Sequence, residues 1–334
     1  MIKEIAKRAN VSVSTVRRAL NDFPDIGADT KARIRTLANE LGYRPNALAA
    51  AMITGKTNLI GVIVPELSNS FFPEIIDGLE TAAHAAGYHI LIAKHDMRDA
   101  KLAELIGLYN QYQVEGLCVV PAWCVAAETV LKEMERFDRP LICFDEHMSL
   151  ADNGELPWVG IDDERAGYDA GKYLIDQGMK KIAFAGYDEK NGCSVLRCKG
   201  LTRAITDVKL TQPQVFSSAI TEDGGRACAA HIIAERPDAV LCINDQVAAG
   251  VELSLIESGV KIPDAISIMG FGNLALGRML AVPLTTVDQS TRQLGERIMS
   301  LMLASIAGGT IDEKTYLPAK IIERSSVTRR TEAG

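Results

Sequence analysis

The sequence predicts an α/β protein in two parts, a small all-α helix-turn-helix head and hinge followed by a two-lobed body built on parallel sheets. Three observations carry this. Residues 1–57 hold ten Lys and Arg against five Asp and Glu, a net charge of +5, and because the whole chain is −7 the remainder carries −12. Up to Leu41, apolar residues recur at helical spacing in three short stretches. From residue 58 onward, short apolar runs alternate with helical stretches, and this βαβα rhythm occurs twice. The charge split points to a module that attracts a polyanion, joined to a bulk that repels one.

In the head, Ile2, Ile5, Ala6 and Ala9 form one face of a short helix. Asn10-Val11 reads as a tight turn, because Asn tolerates the left-handed region. Ser12 is a suitable N-cap for a second helix. In that helix Val16, Ala19 and Leu20 face inward, leaving Val13, Ser14, Arg17, Arg18 and Asn21 outside. Such a second helix suits a major groove. A third helix has the inner stripe Ile34, Leu37, Ala38 and Leu41, ends at Gly42 and is blocked by Pro45. The alanine-rich segment from Asn46 to Ile53 is too short to hold a helix alone in water. It reads equally as a plain linker or as a helix that forms against DNA and a partner copy, with Met52 as a minor-groove wedge.

In the body, strands are expected at 59–64, 88–93, 116–120 and 141–144, and again at 181–185, 214–217, 239–243 and 266–270. Helices are expected between them, and 314–325 reads as a last strand that returns to complete a lobe. Ligands in such sheets bind beyond the carboxyl ends of the strands. The residues there include Ser68, Asn69, Phe71, Lys94, His95, Asp96, Asp145, Glu146, Asn244, Asp245, Gly272 and Asn273. Together with Arg197 they suit a hydroxyl-rich or carboxylated ligand. Phe71 and Trp123 suit an apolar sugar face, although core packing is the better reading of Phe71 alone. One of Asn244 and Asp245 is expected to cap the next helix.

Other function classes find little support. Hydrophobic and charged contents of 47% and 24% are ordinary for a globular protein. No apolar run approaches the roughly 20 residues that cross a bilayer, and Met1–Ile5 has no signal-peptide character, so the cytoplasm is expected. Seven cysteines show no C-x-x-C pair and read as buried small hydrophobes, not disulfides or metal ligands. No dinucleotide, P-loop or nucleophile-elbow motif occurs, so no cofactor and no catalytic role are expected. His95-Asp96 and Asp145-Glu146-His147 are adjacent residues that seldom converge on one ion. A lyase or dehydrogenase lacks its motif here, and a periplasmic-type solute receptor leaves residues 1–57 unexplained.

The ordered pattern Ile2-Lys3-Glu4-Ile5-Ala6, Val11-Ser12-Val13-Ser14-Thr15-Val16-Arg17-Arg18-Ala19-Leu20-Asn21 and Leu41-Gly42-Tyr43-Arg44-Pro45-Asn46 resembles the head of the LacI/GalR family of bacterial transcription regulators. The likeness continues through Asn69-Ser70-Phe71-Phe72, Arg197-Cys198-Lys199-Gly200, Asn244-Asp245 and Pro283-Leu284-Thr285-Thr286-Val287, and so spans nearly the whole chain. It implies a helix-turn-helix domain at 1–45, a hinge at 46–57 and a periplasmic-binding-protein-like effector and dimerisation domain at 58–334. The implied lobes are 58–160 plus 290–320, and 161–289 plus 321–330. It implies a homodimeric repressor that binds double-stranded operator DNA under control of a small effector, a sugar or sugar acid. By the resemblance, Ser12, Val13, Ser14, Thr15, Arg17, Arg18, Asn21, Tyr43, Asn46 and Met52 would meet DNA. Asn69, Phe71, Trp123, Asp145, Arg197, Asn244, Asn273 and Gln289 would meet effector.

The chain departs from the pattern at several places. Asn10 stands for the usual Gly, Arg17 for Ser, Met52 for the wedge Leu, and Ala50 for a common basic residue. Gly272 stands where many members place an effector-binding Asp, with Asn273 or Asp288 as possible substitutes. That loss is compatible with an acidic effector. Apolar faces on 72–79 and 298–306 are candidates for a dimer seam, with core burial the equal or better reading.

Overall fold

The computed structural model describes residues 1–44, 51, 55–122, 127–146, 149–150 and 154–330. The expectations placed on Asn46, Met52 and Trp123 lie outside the described residues. The chain divides into two compact units, Met1–Asn58 and Leu59–Gly334.

The first unit contains α1 (Ile2–Arg8), α2 (Val13–Leu20) and α3 (Ala28–Glu40). Asn10 adopts φ 52° between α1 and α2, the left-handed conformation expected of it. Ser12 caps α2, its hydroxyl oxygen accepting from the Thr15 backbone N–H at 3.0 Å. Ile5, Val16, Ala19 and Ile34 are fully buried and form the shared core, with Leu20, Leu37 and Leu41 packed against it. An Arg33 guanidinium N–H donates to the Ala9 carbonyl at 2.9 Å. It thereby satisfies a carbonyl that the end of α1 leaves without a helical partner.

The second unit begins with β1 (Leu59–Val64), α4 (Phe71–Ala85), β2 (His89–Lys94), α5 (Asp99–Gln111), β3 (Gly116–Val119), α6 (Glu128–Arg136) and β4 (Leu141–Phe144). A short hairpin, β5 (Ser149–Leu150) and β6 (Gly154–Glu155), precedes β7 (Trp158–Ile161). Then come α7 (Asp163–Asp176), β8 (Ile182–Tyr187), α8 (Gly192–Asp207), β9 (Gln214–Ser217), α9 (Glu222–Glu235), β10 (Ala239–Cys242) and α10 (Asp245–Glu257). The chain closes with β11 (Ser267–Phe271), α11 (Ala275–Met279), β12 (Thr285–Asp288), α12 (Thr291–Ile306), β13 (Lys314–Leu317) and β14 (Lys320–Ile322).

Two six-stranded sheets result, one per lobe. The first has the order β13-β7-β4-β3-β1-β2 and is parallel throughout. The second has the order β14-β12-β11-β10-β8-β9, with only β14 antiparallel to its neighbour. Their central strands are buried on both faces, as parallel sheets between helices require. The chain passes between the lobes three times, after β7, after β12 and after β13.

Several elements differ from expectation. The stretch 314–325 is not one strand. Pro318 interrupts it, so β13 completes the first sheet and β14 the second. Strands β7 and β12 were not expected; β12 carries two Thr and an Asp in four residues and so shows no apolar run. The apolar faces of α4 and α12 form no open seam. Phe72, Ile75, Leu79, Ile298, Met299 and Met302 are buried together in the first lobe's core. These two helices meet at Gly78 and Gly295, where a Cβ would lie 2.1 Å from the Arg292 carbonyl oxygen and 2.0 Å from that of Ile75. The same device joins α7 to α8 at Gly167 and Gly200. Among the described residues no helix is long and apolar enough to cross a membrane.

Candidate functional site

In the head, α2 presents Ser14, Arg17 and Arg18 to solvent. Val13 departs from expectation, since it is partly buried against the head core and offers only part of its side chain outward. Thr15 shares a 2.8 Å hydrogen bond with the Ser12 hydroxyl. Asn21 follows α2 as its C-cap, and Tyr43 packs partly on the core. The head's cations are ordered by its few carboxylates. Lys31 and Arg35 converge on Asp22, each at 3.0 Å. Arg18 faces Asp25 with two donors, Nε to Oδ2 at 3.1 Å and Nη2 to Oδ1 at 2.8 Å. Its guanidinium carbon lies 4.5 Å from the Phe23 ring centroid. Hydrogen bonding to Arg18 holds the Asp25 carboxyl below its usual range.

In the body, a cavity of about 510 Å³ opens beyond the carboxyl ends of both parallel sheets. Six of the eight expected effector residues line it: Asn69, Phe71, Asp145, Arg197, Asn244 and Gln289. Asn273 does not. Its backbone is left-handed at φ 54°, and its side-chain oxygen accepts from an Arg324 guanidinium N–H at 2.5 Å. Asp288, the other candidate to replace the missing carboxylate, instead accepts the Ser290 N–H at 3.0 Å at the end of β12.

Arg197 is the organising group. It is 4% exposed, and its donors go to the Asp163 carboxylate at 2.7 Å, the Ile243 carbonyl at 2.7 Å and the Gln289 side-chain oxygen at 3.3 Å. The guanidinium lies 4.2 Å over the Phe271 ring. Asp145 follows β4 in a left-handed turn. Burial pushes its carboxyl up to about 7, Arg197 pulls the other way, and Asp163 adds to the rise. Glu146 beside it reaches from the first lobe to the start of α8 in the second. There it accepts from the Asn191 amide and from the Gly192 N–H, both at 2.9 Å. Burial, then Asp145 and Asp163, push Glu146 up to about 8 against the pull of backbone N–H groups at the start of α8.

Asn244 caps α10, accepting the Val247 N–H at 2.8 Å, and also borders the cavity. Asp245 is a fully buried tie. It accepts from the Thr286 hydroxyl at 2.6 Å and the Leu274 N–H at 2.7 Å, and burial pushes its carboxyl up to about 6. His95 is fully buried, with Nε2 3.1 Å from the Val120 carbonyl oxygen. Burial lowers it to about 4, so it is neutral at physiological pH. Asp96 is paired with Lys94 and Lys101. Among the described residues no group of three or more His, Cys, Asp and Glu is arranged to hold a metal ion, and the described cysteines are buried and free.

Sequence reasoning missed the site roles of Asp163, Asn191 and Phe271. Asp163 had a signal, since it opens α7 two residues past β7, but β7 itself was not recognised. Glu146 stood among the post-strand residues, yet its contact with α8 depends on lobe packing that spacing does not encode.

Comparison with known proteins agrees with both units. Residues 1–46 match the model for bacterial regulatory proteins of the lacI family. Residues 57–325 match the model for periplasmic binding proteins and the sugar binding domain of the LacI family. The chain is 32% identical over 340 residues to the HTH-type transcriptional repressor PurR of Vibrio atlanticus (strain LGP32), covering 98% of each. It is 28% identical over 331 residues to the HTH-type transcriptional regulator RegA of Clostridium saccharobutylicum, covering 97% of this chain and 98% of that one. The crystal structure of the lac repressor dimer bound to operator and the anti-inducer ONPF has the same fold, with a TM-score of 0.87 at 21% identity over 98% of this chain and 99% of that one. A head with the helix-turn-helix pattern and a ligand-sized cleft between two parallel-sheet lobes thus agree with these matches: the chain belongs to the lacI family of bacterial regulatory proteins.

Proposed function

We propose that this protein is a homodimeric repressor of transcription whose grip on a near-palindromic operator is set by a small polyhydroxylated effector in the cleft. In this reading residues 1–45 bind the duplex, 46–57 couple the two parts, and 58–334 sense ligand and dimerise. The cleft is a sensor and not a catalytic centre, and the protein acts in the cytoplasm, where its DNA is. Ser12, Ser14, Thr15, Arg17, Arg18, Asn21, Tyr43, Asn46 and Met52 serve DNA contact, with Val13 adding a partial apolar surface. Asn69, Phe71, Asp145, Arg197, Asn244, Gln289 and Trp123 serve effector contact.

The observation that carries this reading is the cavity itself, lined from both lobes by convergent polar groups and by Phe71 and Phe271. Asn69 is only 9% exposed, and its amide oxygen already accepts the Phe71 N–H at 3.1 Å. The amide N–H₂ remains to donate to a ligand hydroxyl. Relatives support the class of partner, since the lac repressor structure holds operator and an anti-inducer, and a relative from Enterococcus faecium holds ribose. A neutral sugar fits better than a sugar acid. Glu66, Asp96 and Asp188 line the cavity beside the raised carboxyls of Asp145 and Glu146, and the one cation among the described lining residues, Arg197, has its donors engaged by protein groups.

A thermal-shift screen of neutral sugars and sugar acids on the full-length protein tests the reading, because a bound ligand raises stability by mass action. A neutral sugar should raise the melting temperature and change operator affinity. Asn69→Ala should weaken that response by about tenfold and leave operator binding in the absence of sugar intact. If no sugar shifts the melting temperature and Asn69→Ala behaves as wild type, the sensor reading fails.

A further inference from the structure

We propose that Asp25 is a positioning residue that presents Arg18 to a guanine in each operator half-site, with Phe23 fixing the plane of the guanidinium. This rests on the reading of the head as an operator binder. A guanidinium offers two edges for paired hydrogen bonds: a side edge made by Nε and one terminal nitrogen, and an end edge made by the two terminal nitrogens. Asp25 occupies the side edge, with contacts of 3.1 Å to Nε and 2.8 Å to Nη2. Nη1 makes no hydrogen bond among the described residues, so the end edge stays open. That edge matches the N7 and O6 acceptors that guanine alone presents together in the major groove.

Phe23 supplies the remaining constraint. Its ring lies 4.5 Å from the guanidinium carbon, so movement of Arg18 away from the ring would forfeit the cation–π contact. The side chain therefore meets a base already aligned, and little rotamer freedom is lost on binding. A merely stabilising role suits this pair poorly. Its side chains are 44% and 52% exposed, and exposed ion pairs contribute little to folding. The carboxylate has a second consequence. Exposed beside Arg18, it also repels the phosphates of a duplex that Arg18 would meet, so it lowers attachment to any duplex while the aligned Arg18 favours one base. Asp25 thus improves discrimination from both directions.

Selection of binding sites from a random duplex pool by the full-length protein, followed by anisotropy titrations, tests the proposal. The wild type should enrich a guanine at one position of each half-site. Asp25→Ala should lower the preference for that guanine by about tenfold and tighten binding to random duplex several-fold. Arg18→Ala should lose the same preference. Replacing that guanine with 7-deazaguanine should weaken the wild type and leave Arg18→Ala unaffected. Unchanged guanine preference in Asp25→Ala overturns the proposal. So does a parallel loss of selected and random binding, which would mark a purely structural role. Full discrimination retained by Arg18→Ala overturns base reading by Arg18 and this proposal with it, whereas failure of the wild type to enrich any sequence overturns the operator-binding reading itself.

Discussion

The head and the body each contain a bidentate-capable arginine facing an aspartate and an aromatic ring, yet the two arrangements work in opposite ways. Arg18 and Asp25 lie at the surface with side chains 44% and 52% exposed, whereas Arg197 and Asp163 are 5% and 4% exposed. Water screens the first pair, so it adds little to folding, and the end edge of Arg18 stays open beside it. The second pair has no such freedom. Its charges were desolvated on folding, and each is tolerable only while the other is present. On the reading proposed above, the first pair would align a contact with an incoming polyanion, while the second holds the cleft's frame.

The sharpest way to break this comparison is to remove each arginine and measure stability. Arg197→Ala should cost about 3–5 kcal/mol, because it strands Asp163 beside Asp145 and Glu146. Urea unfolding of the full-length protein reads this as a lower midpoint of the body transition. Arg18→Ala should leave the unfolding curve of the protein unchanged, and a comparable loss from both variants would erase the distinction.

A second, smaller effect follows from the pH dependence of the buried site. The Asp145 carboxyl is raised from 3.8 in its ordinary state to about 7 in the fold. The folded state therefore holds this proton more tightly than the unfolded chain does. Its stabilising contribution is complete below pH 4 and is lost as the pH climbs through 7. Asp145→Asn should raise the melting temperature at pH 8 by a few degrees and have no effect at pH 4, as scanning calorimetry can establish. An equal shift at both pH values would refute the assignment. The smallest effect belongs to the head, where Ser12→Ala removes the α2 cap at a cost of about 1 kcal/mol. Amide exchange should show faster opening of 13–20 with no change in the body.

The head was almost fully legible in the sequence because its information is local. Asn10, Ser12 and Gly42 act within one turn of where they stand. The body was legible as a rhythm but not as a ledger of contacts. Strands such as 59–64, 141–144 and 214–217 agree with the observed bounds. Strand β12, with two Thr and an Asp, shows no apolar run, and with β7 unseen Asp163 had no place in the site. Asn273 misled for a related reason. Adjacency to Gly272 put it in the right loop, but its left-handed backbone directs the amide to Arg324, more than fifty residues away in sequence. Spacing along the chain identifies which residues reach the rim of a cleft, while the direction each one takes there depends on partners brought in by the fold.

The glycine contacts between helices have a mechanical consequence. At Gly78 with Gly295, and at Gly167 with Gly200, backbone meets backbone with no side chain between to re-pack. Helices seated this closely cannot slip past each other to make room for a guest molecule. Each helix pair is therefore suited to move as one piece, and a change in the angle between the lobes would fall on the three crossings of the chain, near 162, 289 and 318. A sugar that draws the halves together would then be felt as torsion at those crossings and not as deformation within either half.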